Sequence, residues 1–361
     1  MTDYRDLTGD AIESLAVGAW ILGTGGGGSP YLGLLNMRRL YAEGKRIKLM
    51  SPEALDDADA VAVVSNQGAP LVGQERLTDS RNIARAVELM EEITGKRFRA
   101  IMSLEIGGGN AIQPLMAAAH LGRPVVDADC MGRAYPEAQM TSFAVGDLQP
   151  YPLTSVDPRG VESVVYKVPS WKWMERVSRK ICTEYGSVAS TCKAPRTGAE
   201  IKRWGILHST TKAIRIGAAV RAAQRQNADP IAAILQVELG KVLYQGKVAD
   251  VERRTTEGFL RGRTRVDGLD AWRDSHMEIN FQNEWIVAWI DAAPIAMSPD
   301  LICVLDSVSG EAIGTETIRY GQRVTVMALP PPPVFLSPKG LEHVGPQAFG
   351  YDIPYTSVFQ A

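Results

Sequence analysis

Ala60-Val61-Ala62-Val63-Val64 constrains the fold of this chain more than any other stretch. A short apolar run without polar alternation suits a strand covered on both faces, as in the interior of a parallel sheet. Its neighbours repeat the theme. Ile47 to Met50 predicts a strand before it, and Ser65 to Pro70 a loop at its carboxyl end. A helix from about Thr78 to Ile93 should close at Gly95. Phe98 to Leu104 predicts another strand and Ala111 to His120 another helix. Strands alternating with helical patterns predict βαβ units, and so an α/β N-terminal domain with a mainly parallel sheet. Ahead of these, apolar residues at 11, 12, 15, 16, 19 and 22 have helical spacing, with Thr8 or Asp10 as cap. Ser29-Pro30 then opens a second helix running to about Glu43.

With 361 residues the chain is long enough for two domains of roughly 100–200 residues each. The character changes after Asp147, where prolines and Gly160 gather. We place the boundary so that residues 1–165 form the α/β domain and residues 166–361 a helical connector and a β-rich α+β C-terminal domain. Helices are expected from Ser170 to Tyr185 and from Thr197 to Gln226, the latter broken around Trp204 to Thr211. Short strands should follow at Lys241–Tyr244, Glu257–Phe259, Met277–Phe281, Glu284–Ile290, Leu301–Leu305, Ala312–Ile318 and Val324–Ala328. Pro330 to Pro333 predicts a stiff spacer.

A net charge of −2, with Lys and Arg scattered, gives no footprint for nucleic acid or an anionic membrane. No segment approaches the roughly 20 apolar residues that span a bilayer. The polar N-terminus does not resemble a secretory leader, and the four cysteines lack CxxC spacing. These features predict a cytoplasmic protein with free thiols.

Ligands of open α/β sheets bind beyond the carboxyl ends of strands. Two stretches fall there. Glu105-Ile106-Gly107-Gly108-Gly109-Asn110 lies between a strand and a helix. Glu105 suits an acid, base or metal ligand, and Asn110 either a ligand contact or a helix cap. The run Val125-Val126 ends in Asp127 and Asp129, followed by Cys130, Arg133 and Glu137. Side chains 127 and 129 share one side of an extended backbone. Two carboxylates that close raise one another's pKa unless a cation lies between them. Arg133 or a divalent metal would serve. The alternative is that the aspartates cap turns and Arg133 pairs with Glu137. Cys130 reads as a small buried hydrophobe rather than a nucleophile.

The third stretch is Gly23-Thr24-Gly25-Gly26-Gly27-Gly28-Ser29-Pro30. It matches G-x-G-x-x-G literally, but a helix rather than a strand precedes it, which argues against NAD as cofactor. Gly25 to Gly28 still allow close backbone approach to a ligand, and Ser29 opens a helix whose N–H groups face it. The histidines are far apart and form no zinc signature. Ser190-Thr191-Cys192-Lys193 matches S-x-x-K, but S-D-N and K-T-G are missing, so it is set aside.

Six stretches together resemble the DUF917 family, whose named member is S-methyl thiohydantoin desulfurase. They are 25–31 (the glycine run to Tyr31), 105–110, 127–137, Phe281-Gln282-Asn283-Glu284, Asp306 to Glu311 and Gly345 to Asp352. The resemblance covers nearly the whole chain in order. It implies an α/β part followed by a β-rich part, and association with hydantoinase or oxoprolinase-type proteins. The activity it implies is hydrolytic removal of methanethiol from a methylated thiohydantoin.

The expectation is therefore a hydrolase of a small cyclic amide of the hydantoin or thiohydantoin kind. Glu105, Asp127, Asp129 or Glu137 would take the proton of water. Arg133 or glycine-loop N–H groups would stabilise negative charge. A metal on Asp127 or Asp129 would activate the water instead. The rival expectation is a non-catalytic subunit that binds a ligand or assembles with a hydantoinase-type partner; a homo-oligomer is compatible with either.

Overall fold

A computed structural model of the chain describes residues 3–69, 72, 79–256 and 258–359. Its first sheet has eight strands in the order β1-β2-β5-β4-β3-β9-β7-β8. These are β1 (Tyr4–Asp6), β2 (Lys48–Met50), β3 (Ala60–Gly68), β4 (Ala100–Ser103), β5 (Val125–Val126), β7 (Leu153–Val156), β8 (Glu162–Val165) and β9 (Val188–Thr197). The centre, β2-β5-β4-β3, is parallel, as the apolar runs predict. Strands at both edges run antiparallel, so the sheet as a whole is mixed. β6 (Ala128–Asp129) pairs separately with β10 (Ile206–Leu207).

β9 lies beyond residue 165, so chain from the second segment completes the first sheet. It also changes the end of β3. The loop expected from Ser65 is strand through Gly68, because Ser65 to Gly68 pair with Thr191 to Val188. Pro70 and Thr78, where the sequence suggested a loop and a helix start, lie outside the described residues; helix Arg81–Thr94 closes on left-handed Gly95 as expected.

Helix Gly9–Leu22 is capped by Thr8, whose Oγ1 accepts from Ala11 N at 3.1 Å. It packs on helix Ser209–Arg225 at backbone contact: a Cβ on Gly18 would lie 1.8 Å from Ala213 O, and one on Gly217 the same distance from Ser14 O. Helix Tyr31–Ala42 starts one residue later than its Ser-Pro signal, and Ser29 Oγ accepts from Tyr31 N. Apolar side chains of these helices and of the sheet merge into one core that reaches Leu301, Cys303 and Met327 of the second sheet.

That second sheet is a curled antiparallel array of β11 (Lys241–Thr256), β12 (Phe259–Gly268), β13 (His276–Gln282), β14 (Glu284–Ile290), β15 (Ala293–Met297), β16 (Leu301–Asp306) and β17 (Arg323–Leu329). β11 and β12 are much longer than the expected fragments, and Glu257 between them is outside the described residues. Ala312 to Ile318, expected as a strand, is irregular. Apart from one bridge to Leu305, its backbone is drawn elsewhere: Thr315 N donates to Gly25 O at 2.9 Å. Among the described residues no helix is long and apolar enough to cross a membrane. The four cysteines are free and buried.

Candidate active site

Three loops meet at the carboxyl ends of β3 and β4, and glycine decides how closely. Gly109 N donates to Gly27 O and Gly28 O at 3.1 and 2.8 Å. Gly108 has φ +63°, and a Cβ there would lie 2.5 Å from Gly28 O. Gly107 similarly abuts Ala134 N. The glycine run also admits the second sheet. Asn283, at φ +60° in the turn between β13 and β14, lets Glu284 and Trp285 reach it, and Trp285 N donates to Thr24 O at 2.8 Å. A Cβ on Gly26 would fall 2.0 Å from Glu284 Oε1, so its absence makes room for that carboxyl.

Beside this junction lies a cavity of about 520 Å³, within the ~300–1,000 Å³ typical of small-ligand pockets. Gly27, Gly28, Ser29 and Gly109 line it, whereas Gly25, Gly26, Gly107 and Gly108 lie behind as packing elements.

Glu105 sits in the cavity wall at 6% exposure. Asn110 Nδ2 donates to its Oε1, and Tyr135 N donates to Oε2 at 3.1 Å. Burial still outweighs these bonds and pushes its carboxyl up to about 7. Asn110 is no helix cap: its Oδ1 accepts from Asn66 N at 2.7 Å, tying the end of β3 to Glu105. Glu284 faces the same cavity at 2% exposure, with Oε2 unpartnered among the described residues. Burial, followed by the charge of Glu105, holds it well above the ordinary carboxylate range. Two buried carboxyls on one cavity wall disfavour carrying two charges at once.

Glu137 also lines the cavity, accepting from Gln139 Nε2 at 2.5 Å and Gln282 Nε2 at 3.3 Å. Helix Trp171–Glu184, capped by Ser170, contributes Glu175 and Arg179. They pair with each other and hold the loop before Gln139 through Ala138 N and Pro136 O. Lys193 completes the wall from β9.

The remaining candidates are placed elsewhere. Asp127 caps helix Ser209–Arg225: its Oδ1 accepts from Thr211 N at 2.9 Å and Oδ2 from the Thr211 hydroxyl. Asp129 Oδ2 accepts from Ile106, Met131 and Gly132 N at 2.7–3.1 Å, the turn-capping alternative. Burial raises its pKa to about 6. Arg133 is fully buried and, among the described residues, pairs with no carboxylate. Its guanidinium donates to Ala134 O, Asp300 O, Trp285 O and Thr24 Oγ1, and stacks 4.7 Å from the Tyr135 ring centre. It pins the glycine run to the second sheet, outside the cavity. Cys130 donates to Leu104 O at 3.0 Å, with its thiol pushed well up by burial. Among the described residues no group of three or more His, Cys, Asp or Glu is arranged to hold a metal ion.

The comparisons with known proteins bear on this arrangement. Family models described as the S-Me-THD-like N-terminal and C-terminal domains match residues 10–167 and 169–358. The chain belongs to the S-Me-THD-like family. No curated protein matches it. A crystal structure of a protein from Chromobacterium violaceum is similar at TM-score 0.81 and 21% identity, over 98% of this chain and 100% of that one. At that identity the likeness is one of fold.

Within this S-Me-THD-like chain, Glu105, Glu137, Asn110 and part of the glycine run are brought together. Asp127, Asp129 and Arg133 serve the scaffold behind them. Sequence reasoning missed Glu284, Lys193 and the Glu175–Arg179 pair. A signal existed for Lys193: it is the one charge within Val188 to Ala194, a run otherwise small or β-branched that follows Gly186. Glu284 had the polar turn Gln282-Asn283 before it, a hairpin signal.

Proposed function

We propose that this cavity hydrolyses a small cyclic amide derivative of the S-methyl thiohydantoin kind, releasing methanethiol and leaving a hydantoin ring. The observation that carries this reading is Glu105, a buried carboxyl in the cavity wall that retains its proton up to about pH 7. Such a group can donate at neutral pH, where an ordinary glutamate is ionised. Family membership supports the choice of chemical class.

The chemistry follows from the ring. Water attacks the carbon that bears sulfur while Glu105 protonates the adjacent ring nitrogen, so no anion builds up in a dry site. Collapse of the adduct breaks the C–S bond, forms the carbonyl and returns a proton to Glu105. The attacking water must lose a second proton to a neighbouring acceptor. Asn110 and Tyr135 N fix the carboxyl, and Glu284 keeps a proton nearby. Arg133 takes no part in charge stabilisation, because its donors are committed to the scaffold. No metal is needed in this scheme.

The test is the purified chain alone, given S-methyl thiohydantoins with varied groups at ring position 5 and followed for thiol release. The reading predicts turnover without a partner and without added divalent metal. Silence across the series, with turnover only after a hydantoinase-type chain is added, would favour the subunit reading instead.

A further inference from the structure

Lys193 sits in the middle of β9, opposite Val63 in the ladder, with its side chain on the cavity wall. It is only 8% exposed. Among the described residues its amine makes no hydrogen bond and no ion pair. The titratable and charged groups facing it are Glu175, Arg179 and Cys182 of helix Trp171–Glu184, and Glu105 after β4. None is free to serve it. Glu175 is held by Arg179 and Ala138 N, Glu105 by Asn110 and Tyr135 N, and the Cys182 thiol donates to Gln67 O.

An ammonium ion this deep in the cavity wall, with no protein acceptor among the described residues, gives up most of its hydration and gains no direct counter-ion; the neutral amine is the form that fits. Burial accordingly holds the lysine below its ordinary pKa. A neutral amine on the wall of a ligand cavity is a base and has no evident structural task here, since nothing is bonded to it.

We propose that Lys193 is the proton acceptor of this cavity: its neutral amine takes the proton of the attacking water and later delivers it to the departing thiolate. The inference rests on the hydrolase reading and supplies the acceptor that reading requires. In the first step the water O–H proton passes to Nζ, the C–O bond forms, and Glu105 protonates the ring nitrogen. In the second step the C–S bond breaks and sulfur keeps the electron pair. The Lys193 ammonium then protonates the thiolate, and the hydroxyl proton returns to Glu105. The sum is water plus S-methyl thiohydantoin giving hydantoin plus methanethiol, with both side chains restored.

Two measurements separate this inference from the function it rests on. In the first, the intact protein is acetylated with limiting acetic anhydride across pH 6 to 10, and modification of Lys193 is read by peptide mass spectrometry. A neutral amine gives a rate that levels off well below the ordinary lysine pKa of about 10.4. A rate still climbing about tenfold per pH unit to pH 10, as for a solvated lysine, overturns the proposal whether or not thiol release is ever seen. In the second, Lys193→Ala and Lys193→Met are assayed for thiol release. The proposal predicts kcat lower by about 100-fold or more, KM little changed, and partial rescue of Lys193→Ala by added ethylamine. Unchanged kcat in either folded variant overturns it. If acetylation levels off but the parent protein releases no thiol, the neutral amine stands and the thiohydantoin reading falls.

Discussion

Glu316 isolates the effect of burial from that of chemistry. It is 6% exposed, both carboxyl oxygens lack hydrogen-bond partners among the described residues, and burial lifts it from the usual 4.5 to about 7 despite Arg253 nearby. The folded state therefore keeps a proton that the unfolded chain releases above pH 4.5. The resulting stabilisation is fully present below about 4.5 and is lost as pH rises through about 7. Glu316→Gln removes that dependence. Thermal unfolding should show the Tm of Glu316→Gln rising relative to the parent between pH 4.5 and 8; a constant difference would contradict the assignment. The same logic applies to Glu105, whose proton the proposed hydrolysis uses. Residues of this kind are hard to recognise in a sequence, where all carboxylates look alike. Asp127 and Asp129 drew attention because they end a strand, yet a helix start and a turn consume them. Glu284 drew less, and the curl of the second sheet carries it into the cavity.

Elements whose role is set by local signals were legible. Apolar runs marked β3 and β4, Ser170 marked a helix start, and the apolar run after Glu284 marked β14. Elements whose partners are remote in sequence were not. β9 contains Lys193 and Arg196, and its pairing with β3 spans more than a hundred residues. β11 carries Glu252, Arg253 and Arg254 and β12 carries Arg263 and Arg265, all exposed to solvent, and these charges hide the strands' length from any hydrophobic pattern. The glycine run was legible as a place of close approach, but what approaches is largely another backbone. Gly108→Ala tests this. Its φ of +63° and the 2.5 Å approach to Gly28 O leave no room for a methyl group. The variant should lose more than about 1 kcal/mol in urea unfolding. Thiol release should fall too, although no reacting group is removed. A variant of parental stability and activity would show that the loops separate easily.

At the scale of the molecule, chain around both sheets lines one cavity. The first carries Glu105, Asn110 and Lys193; the second adds Glu284 and braces Glu137 through Gln282. The first sheet is completed by a strand of the second segment. A chain ending at residue 165 lacks β9, which separates β3 from β7 in the sheet. It leaves β3 with an unpaired edge and β7-β8 detached, and a long bare edge invites association. Such a fragment should show no cooperative thermal transition by circular dichroism; a cooperative one would mean the sheet re-forms without β9.

The central claim is that Glu105 donates a proton in this cavity. Its most direct test is the pH dependence of kcat/KM for thiol release from an S-methyl thiohydantoin, measured for the parent and for Glu105→Gln. The parent should lose rate above about pH 7, where Glu105 ionises. Glu105→Gln should be slower by about 100-fold or more and lack that limb. A folded Glu105→Gln protein with parental rate, or one that retains the limb near pH 7, would contradict the account.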